Sequence, residues 1–274
     1  MVGYADKLGF LEYAVFWFKN SGVWQVIPLE TPSTTMRSMA YSVNDNGWIV
    51  GLKGTPPNYE ACLWKINPIT GVILSSEGLG FLGEGTKSSA RSINNDGEVV
   101  GTSTLSAASD ALPHGFFWKH GRGMVDLGVA SGDEQSVAND LGAKAIVGTS
   151  VTGGLPGLPK AVIWTKPKEK AIQTLPLPAG FTNGLARFIN EAGLILGAAQ
   201  IADSPHAILW TPAKIMGKTL YTPSDLGVPG DYERSIGAGI NDEGTILIQG
   251  YAGTGATERA GAYVRVPGIS ALIR

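Results

Sequence analysis

The chain is 274 residues long, 43% apolar and 16% charged, with a formal net charge of −2. That balance excludes a disordered polymer and removes the basic footprint of a general nucleic-acid binder. No run of 18 apolar residues marks a membrane helix, and the lone cysteine, Cys62, excludes an internal disulfide and cysteine-based zinc clusters.

Taken in chain order, "MVGYADKLGFLEY" has neither a basic start nor a continuous apolar stretch, so no signal peptide is expected. "MVGYA" (1–5) reads as a short strand, and "EYAVFW" as a second one ending at Trp17. From there the chain repeats itself. "SVNDNGWIVG", "SINNDGEVVG", "SVANDLGAKAIVG", "FINEAGLILG" and "GINDEGTILIQG" share an asparagine, at Asn44, Asn94, Asn139, Asn190 and Asn241. A second marker, "YEACLW", "PHGFFW", "PKAVIW", "PHAILW" and a degenerate "ERAGAY", ends at Trp64, Trp118, Trp164, Trp210 and Tyr263. Two markers in one phase predict a repeat architecture.

Each unit reads as four short strands. Strand a ends at the asparagine. Asn-x-x-Gly then predicts a tight turn, in which Asn and Gly tolerate positive φ. Strand b is the "EVVG" run, strand c ends at the tryptophan, and strand d carries "MVDLG" (124–128) or "PSDLG" (223–227). Four strands per repeat of this length is the size of a propeller blade. The expectation is an all-β, six-bladed β-propeller as a single domain over 1–274, with units near 1–30, 31–79, 80–129, 130–178, 179–227 and 228–274. The first blade lacks strand a, its innermost, and the last ends near "ISALI" (269–273).

These markers resemble the bacterial HAF-repeat proteins, whose strand c opens with His-Ala-Phe. The motif stands here as His114-Gly115-Phe116 and His206-Ala207-Ile208, beside the five-fold apolar-Asn-Asp-x-Gly-x-Val-Val-Gly pattern. The resemblance implies a secreted or surface-associated β-repeat protein and supplies no catalytic residues. Elsewhere the histidine position holds Tyr13, Glu60, Lys160 and Arg259.

Because strands alternate in direction, the loops before strands a and c share one end of a blade. Variable loops on a rigid scaffold are where binding concentrates. Arg37, Lys87, Arg91, Arg187 and Arg234, with His114 and His206, are therefore the candidate ligand-binding residues at the mouth of a central channel. Clustered guanidinium groups suit carboxylate, phosphate or sulfate. The competing expectation is that each arginine pairs with Asp133, Glu134, Asp231 or Glu233 and only tethers loops. At the other end, Lys19, Lys65, Lys119, Arg122, Lys166, Lys168, Lys170, Lys214 and Lys218 lie near Asp45, Asp96, Asp140, Glu191 and Asp242, and read as a solvated face. No cofactor and no metal is expected: the histidines fall in different blades, and the Asn-Asp-x-Gly turns lack a calcium-loop ligand series. "GTGAT" (253–257) lacks the Gly-Lys-Ser/Thr of a phosphate loop. The tryptophan series reads as core, Trp24 and Trp48 as candidate stacking surfaces, and Cys62 as buried and inert.

The reading that follows is a non-catalytic recognition or scaffold propeller, binding a glycan, peptide or anionic ligand at its loop-rich end. An enzyme, lyase or hydrolase, with a channel-mouth site is the alternative. So is a structural unit assembling through the open first blade.

Overall fold

The computed structural model of the chain describes residues 1–6, 9, 11–108, 111–153, 158–165, 171–253 and 258–265. Every regular element among them is a β-strand. The first sheet is β1 (Val2–Ala5), β2 (Tyr13–Asn20) and β3 (Val23–Pro28). The second is β4 (Arg37–Val43), β5 (Trp48–Gly54), β6 (Glu60–Ile66) and β7 (Ile73–Gly78). The third is β8 (Ser88–Ile93), β9 (Glu98–Thr104), β10 (Pro113–Lys119) and β11 (Gly123–Asp126). The fourth is β12 (Gln135–Leu141), β13 (Ala145–Val151), β14 (Pro159–Thr165) and β15 (Ile172–Thr174). The fifth is β16 (Thr182–Ile189), β17 (Ile195–Ile201), β18 (Ser204–Ile215) and β19 (Lys218–Asp225). The sixth is β20 (Arg234–Ile240), β21 (Ile246–Ala252) and β22 (Arg259–Arg265).

The fold is an all-β, six-bladed β-propeller, with strands in the order a-b-c-d and a first blade of three strands, b, c and d. The strand expected near 269–273 lies outside the described residues. The chain divides into two compact units, Met1–Gly128 with Gln135–Ala138, and Val129–Glu134 with Asn139–Arg274.

Within each unit the core lies between successive blades. In unit 1, Trp64 packs with Phe16, Leu29, Ala40 and Ile49, and Trp118 with Leu63, Ala90 and Phe116. In unit 2, Trp210 packs with Ile163, Leu175 and Ala186. The tryptophan marker is thus a core residue, fully buried at positions 64, 164 and 210. Trp24 is 57% exposed, whereas Trp48 packs against the Trp118 core and carries the Lys65 ammonium 4.5 Å from its ring centre.

The recurrent asparagine is a clamp. Asn44 Oδ1 accepts the backbone N–H of Asn46 (3.1 Å) and Trp48 (2.9 Å), while its Nδ2 donates to Asn94 O in the next blade (2.8 Å). Asn190 repeats this with Leu194 N–H and Asn241 O, both at 2.9 Å. Left-handed backbone falls on the glycine alone, with φ of 75° at Gly47 and 82° at Gly193. The asparagine was expected to share that conformation. It instead holds a three-residue loop closed by a left-handed glycine. Blade 4 departs from the pattern: β12 runs on to Leu141, and Gly142 N–H bonds Ala145 O across the turn. Asn139 therefore lies inside the strand, where its Nδ2 donates to Ala186 O (2.8 Å).

Candidate functional site

The two histidines of the repeat motif are held by the Asp of the "DLG" motif. His114 Nδ1 lies 3.0 and 3.1 Å from the Asp126 carboxylate oxygens, and His206 Nδ1 lies 3.1 Å from both oxygens of Asp225. The strand register puts Phe116 opposite Asp126 and Ile208 opposite Asp225, so strand d delivers the carboxylate to the start of strand c. The same Asp accepts Gly128 N–H or Gly227 N–H at 2.8 Å. A buried serine of the following strand a completes the arrangement. Ser136 Oγ donates to Gly128 O (2.8 Å) and accepts from Gly115 N–H (2.9 Å), and Ser235 does the same with Gly227 O and Ala207 N–H. This resembles a Ser-His-Asp set only in composition. The serines are fully buried and donate to backbone carbonyls, so the set ties strands together.

Blade 2 reaches the same end by exchange. Gly78 stands where Asp126 stands, and the Glu60 carboxylate fills the space a Cβ there would need. Glu60 Oε1 then accepts Gly80 N–H (3.0 Å), and Ser88 bridges Gly80 O and Ala61 N–H. In blade 4 the position is Lys160, whose ammonium lies 2.6 Å from Asp133, a residue with a fully buried side chain. The two histidines thus sit on strand c and bond the aspartate of strand d.

The arginines divide between anchored and clustered. Arg234 bonds Gly253 O (2.9 Å) and Glu258 (3.2 Å), with Tyr251 beside its guanidinium. Arg187 lies over the Phe188 ring. Arg37 Nε pairs with Glu12 at 2.7 Å. The tethering expectation thus describes Arg37 and Arg234, though with partners other than those foreseen. Asp231 instead faces Arg259, at 3.8 Å.

Unit 1 brings the remaining cations together with tyrosines. Strand a carries a β-bulge, with register shifts between Ala40 and Ser42 and between Ala90 and Ser92. Tyr41 and Arg91 are the extra residues, and a bulge re-aims the side chain it carries. Tyr41 is 42% exposed; burial pushes its phenol above the ordinary value, against the opposing pull of Arg91 and Arg37. Arg37 Nη1 donates to Tyr59 Oη (3.4 Å). Tyr59 and Lys87 then line a cavity of about 270 Å³ with Ser89, Thr102 and Leu52. The cavity opens between blades 2 and 3 at the ends where strands a and c begin, and among the described residues its lining includes no carboxylate or imidazole.

The opposite ends of the blades are mostly self-satisfied. Lys65 pairs with Glu77 (3.2 Å) and Lys119 with Glu98 (3.3 Å). Asp45 accepts from Asn95 (2.7 Å), and Asp140 and Asp242 accept backbone N–H groups of the neighbouring turn at 2.9 Å. Lys166, Lys168 and Lys170 lie outside the described residues, as do positions 254–257 of the "GTGAT" stretch. In unit 2 these ends also hold a cavity of about 290 Å³, walled by Lys144, Glu191, Pro212, Lys214 and Tyr221. Its wall is the long hairpin of β18 and β19, an asymmetry that the repeat pattern concealed. Among the described residues no cluster of His, Cys, Asp or Glu could hold a metal ion, and no helix is long and apolar enough to cross a membrane.

Comparison with solved structures gives the fold a counterpart. The chain is similar to TolB from Acinetobacter baumannii, with a TM-score of 0.51 at 12% identity over 97% of this chain. That likeness is one of fold. The chain spans 60% of the length of that TolB chain. A structure from a study of two prolyl endopeptidases matches with a TM-score of 0.44 at 12% identity, over 96% of this chain and 50% of the other. No protein-family model matches the sequence, and no curated protein matches it.

Proposed function

We propose that the chain is a non-catalytic recognition propeller of the HAF-repeat type, which holds an anionic group of a glycan or peptide in unit 1. The observation that carries this reading is the cavity beneath Lys87 and Tyr59, joined through the Tyr59 hydroxyl to Arg37. Arg91 and Tyr41 are the bulge residues of the two a strands in the same unit. Guanidinium and ammonium groups match carboxylate, sulfate or phosphate, tyrosine faces stack on sugar rings, and Ser89 and Thr102 offer hydroxyls. The described lining, hydroxyls and an ammonium with apolar residues, suits holding a ligand. In this reading the protein works at a cell surface or outside the cell, as the HAF-repeat resemblance implies.

The test is an array of acidic and neutral glycans, polyanions and acidic peptides, run with the wild type and with Lys87→Ala and Arg91→Ala. Anion-selective binding, weakened about tenfold or more by Lys87→Ala, is the expected result; tenfold corresponds to about 1.4 kcal/mol. Binding of nothing by the folded wild type, or binding by Lys87→Ala as tight as by the wild type, refutes the reading.

A further inference from the structure

Blades 2 and 4 differ at one core position. Trp48, the first residue of strand b in blade 2, pairs with Lys65, the residue after Trp64. Ala145, the first residue of strand b in blade 4, pairs with Thr165, the residue after Trp164. Ala145 therefore stands where Trp48 stands. The Trp48 ring crosses to blade 3, where a Cβ at Gly97 would meet it at 2.6 Å, and packs against the core of Trp118. Gly97 closes the Asn-x-x-Gly turn, and Gly193 is its counterpart in blade 5. Ala145 likewise faces the following blade, buried in one cluster with Ile189 and Trp210. Among the described residues, however, the atoms nearest a Cβ at Gly193 belong to Pro212 (3.5 Å) and the Tyr221 hydroxyl (4.0 Å), in its own blade. A methyl group replaces an indole, and the glycine opposite it is kept.

The space so left is the cavity of about 290 Å³ in unit 2, which both Ala145 and Gly193 line. An apolar cavity of roughly 150 Å³ already admits benzene, so a bicyclic ring fits here. The wall is specific to this blade. In blade 3 strands c and d close at Lys119 and Gly123, one pair beyond Trp118, whereas in blade 5 they run on from Thr211 and Thr222 to Ile215 and Lys218. Alternate residues of a strand share a face, so Pro212 and Lys214 continue the Trp210 side of β18 and line the cavity. Lys144 and Lys214 meet there against one carboxylate, Glu191. Among the described residues neither ammonium is ion-paired, whereas Lys65 and Lys119 of other blades pair with Glu77 and Glu98.

We propose that this cavity binds an indole-sized aromatic ring bearing a carboxylate. The ring takes the place that Trp48 takes between blades 2 and 3, and the carboxylate meets Lys144 and Lys214. Blade 2 shows that a cation suits the ring as well: the Lys65 ammonium lies 4.5 Å from the Trp48 ring centre. Burial pushes the Tyr221 phenol above its ordinary value, which keeps it a hydrogen-bond donor at neutral pH. The site shares no residue with the Lys87 cavity.

The test is calorimetric titration of the intact chain with indole-3-propionate. Saturable binding is expected, and Ala145→Trp should abolish it by supplying the ring from within. Lys144→Ala combined with Lys214→Ala should weaken the acid about tenfold and leave neutral 3-methylindole unaffected. Because Ala145→Trp alters a core position, the wild type is also followed by NMR, where the ligand's ring protons should show an NOE to the Ala145 methyl group. The capped peptide Ac-Asp-Trp-Asp-NH2 separates two sources of the same chemistry. Tighter binding of the free acid assigns the cavity to a small molecule, and tighter binding of the peptide to a tryptophan of an acidic chain. Binding of neither by the folded chain overturns the proposal, as does a folded Ala145→Trp that binds like the wild type, or a bound ring without the NOE. Unchanged affinity of the double lysine variant overturns the carboxylate contact. Binding lost in Lys87→Ala but kept in Ala145→Trp puts the acid in the unit 1 cavity, and overturns the proposal too.

Discussion

Replacing Ser88 by alanine removes one hydroxyl that makes two buried hydrogen bonds. Ser88 Oγ accepts from Ala61 N–H at 2.8 Å and donates to Gly80 O at 2.7 Å, and the serine is almost wholly buried. The alanine leaves both backbone groups without that partner where water is excluded, and each unsatisfied buried group costs about 1–3 kcal/mol. We expect a loss of about 2–4 kcal/mol, a large fraction of the roughly 5–15 kcal/mol that holds a domain folded. Equilibrium urea unfolding followed by tryptophan fluorescence measures it, because Trp64 and Trp118 are buried reporters in the same unit. Ser75→Ala, at an exposed position on β7, is the control and should change stability by no more than about 0.5 kcal/mol. A Ser88→Ala loss no larger than that of the control would refute the serine's role in joining the blades.

Three other outcomes follow from the same geometry. Gly78→Asp alone should destabilise, since it sets a carboxylate against Glu60, whereas Gly78→Asp with Glu60→His should recover stability by rebuilding the pair seen at His114 and Asp126. A double-mutant cycle should give a coupling of about 1–3 kcal/mol, and simple additivity would count against the exchange. Burial pushes Glu30 upward, but hydrogen bonds from Trp64, Lys53 and Ser76 outweigh it and hold the carboxyl below its ordinary value of 4.5. A carboxyl lowered on folding stabilises above its unfolded value and loses that contribution as pH falls through the folded one. The stability gap between wild type and Glu30→Gln should therefore narrow below about pH 4.5, and a gap constant down to pH 3 would contradict the assignment. Finally, burial pushes the Cys62 thiol up to about 11, so iodoacetamide at pH 8 should leave native protein unlabelled and label it in urea. Rapid labelling of the native chain would show the site to be open.

How far the site could be read before the structure depended on where each partner sat. His114 and His206 occur in the two repeats whose strand d ends in "DLG", at 126–128 and 225–227, so the pairing left a trace in the sequence, blurred by a third "DLG" at 140–142 that has no histidine with it. What the trace lacked was register: Asp126 reaches His114 because Phe116 lies opposite it across β10 and β11. Gly51, Gly101 and Gly197 end the strand-b runs in the sequence, but the reason, a strand-a carbonyl oxygen where a Cβ would stand, exists only between strands. Asn139 shows the converse error. "NDLG" matches the turn motif locally, yet β12 pairs through Leu141 and moves the turn two residues on.

The sequence alone therefore determined the repeat, the strand order within the blades, the tryptophan core and the three strands of the first blade. All of these follow from period and local pattern, which burial and backbone preference impose residue by residue. The tertiary structure decided which charges are consumed in tying strands together and which gather around a cavity. It placed Arg37 against Glu12, Arg234 against Glu258, and Lys87 beside Tyr59. Those choices arise between strands that are distant along the chain, where a difference of one residue in register turns a side chain to the other face.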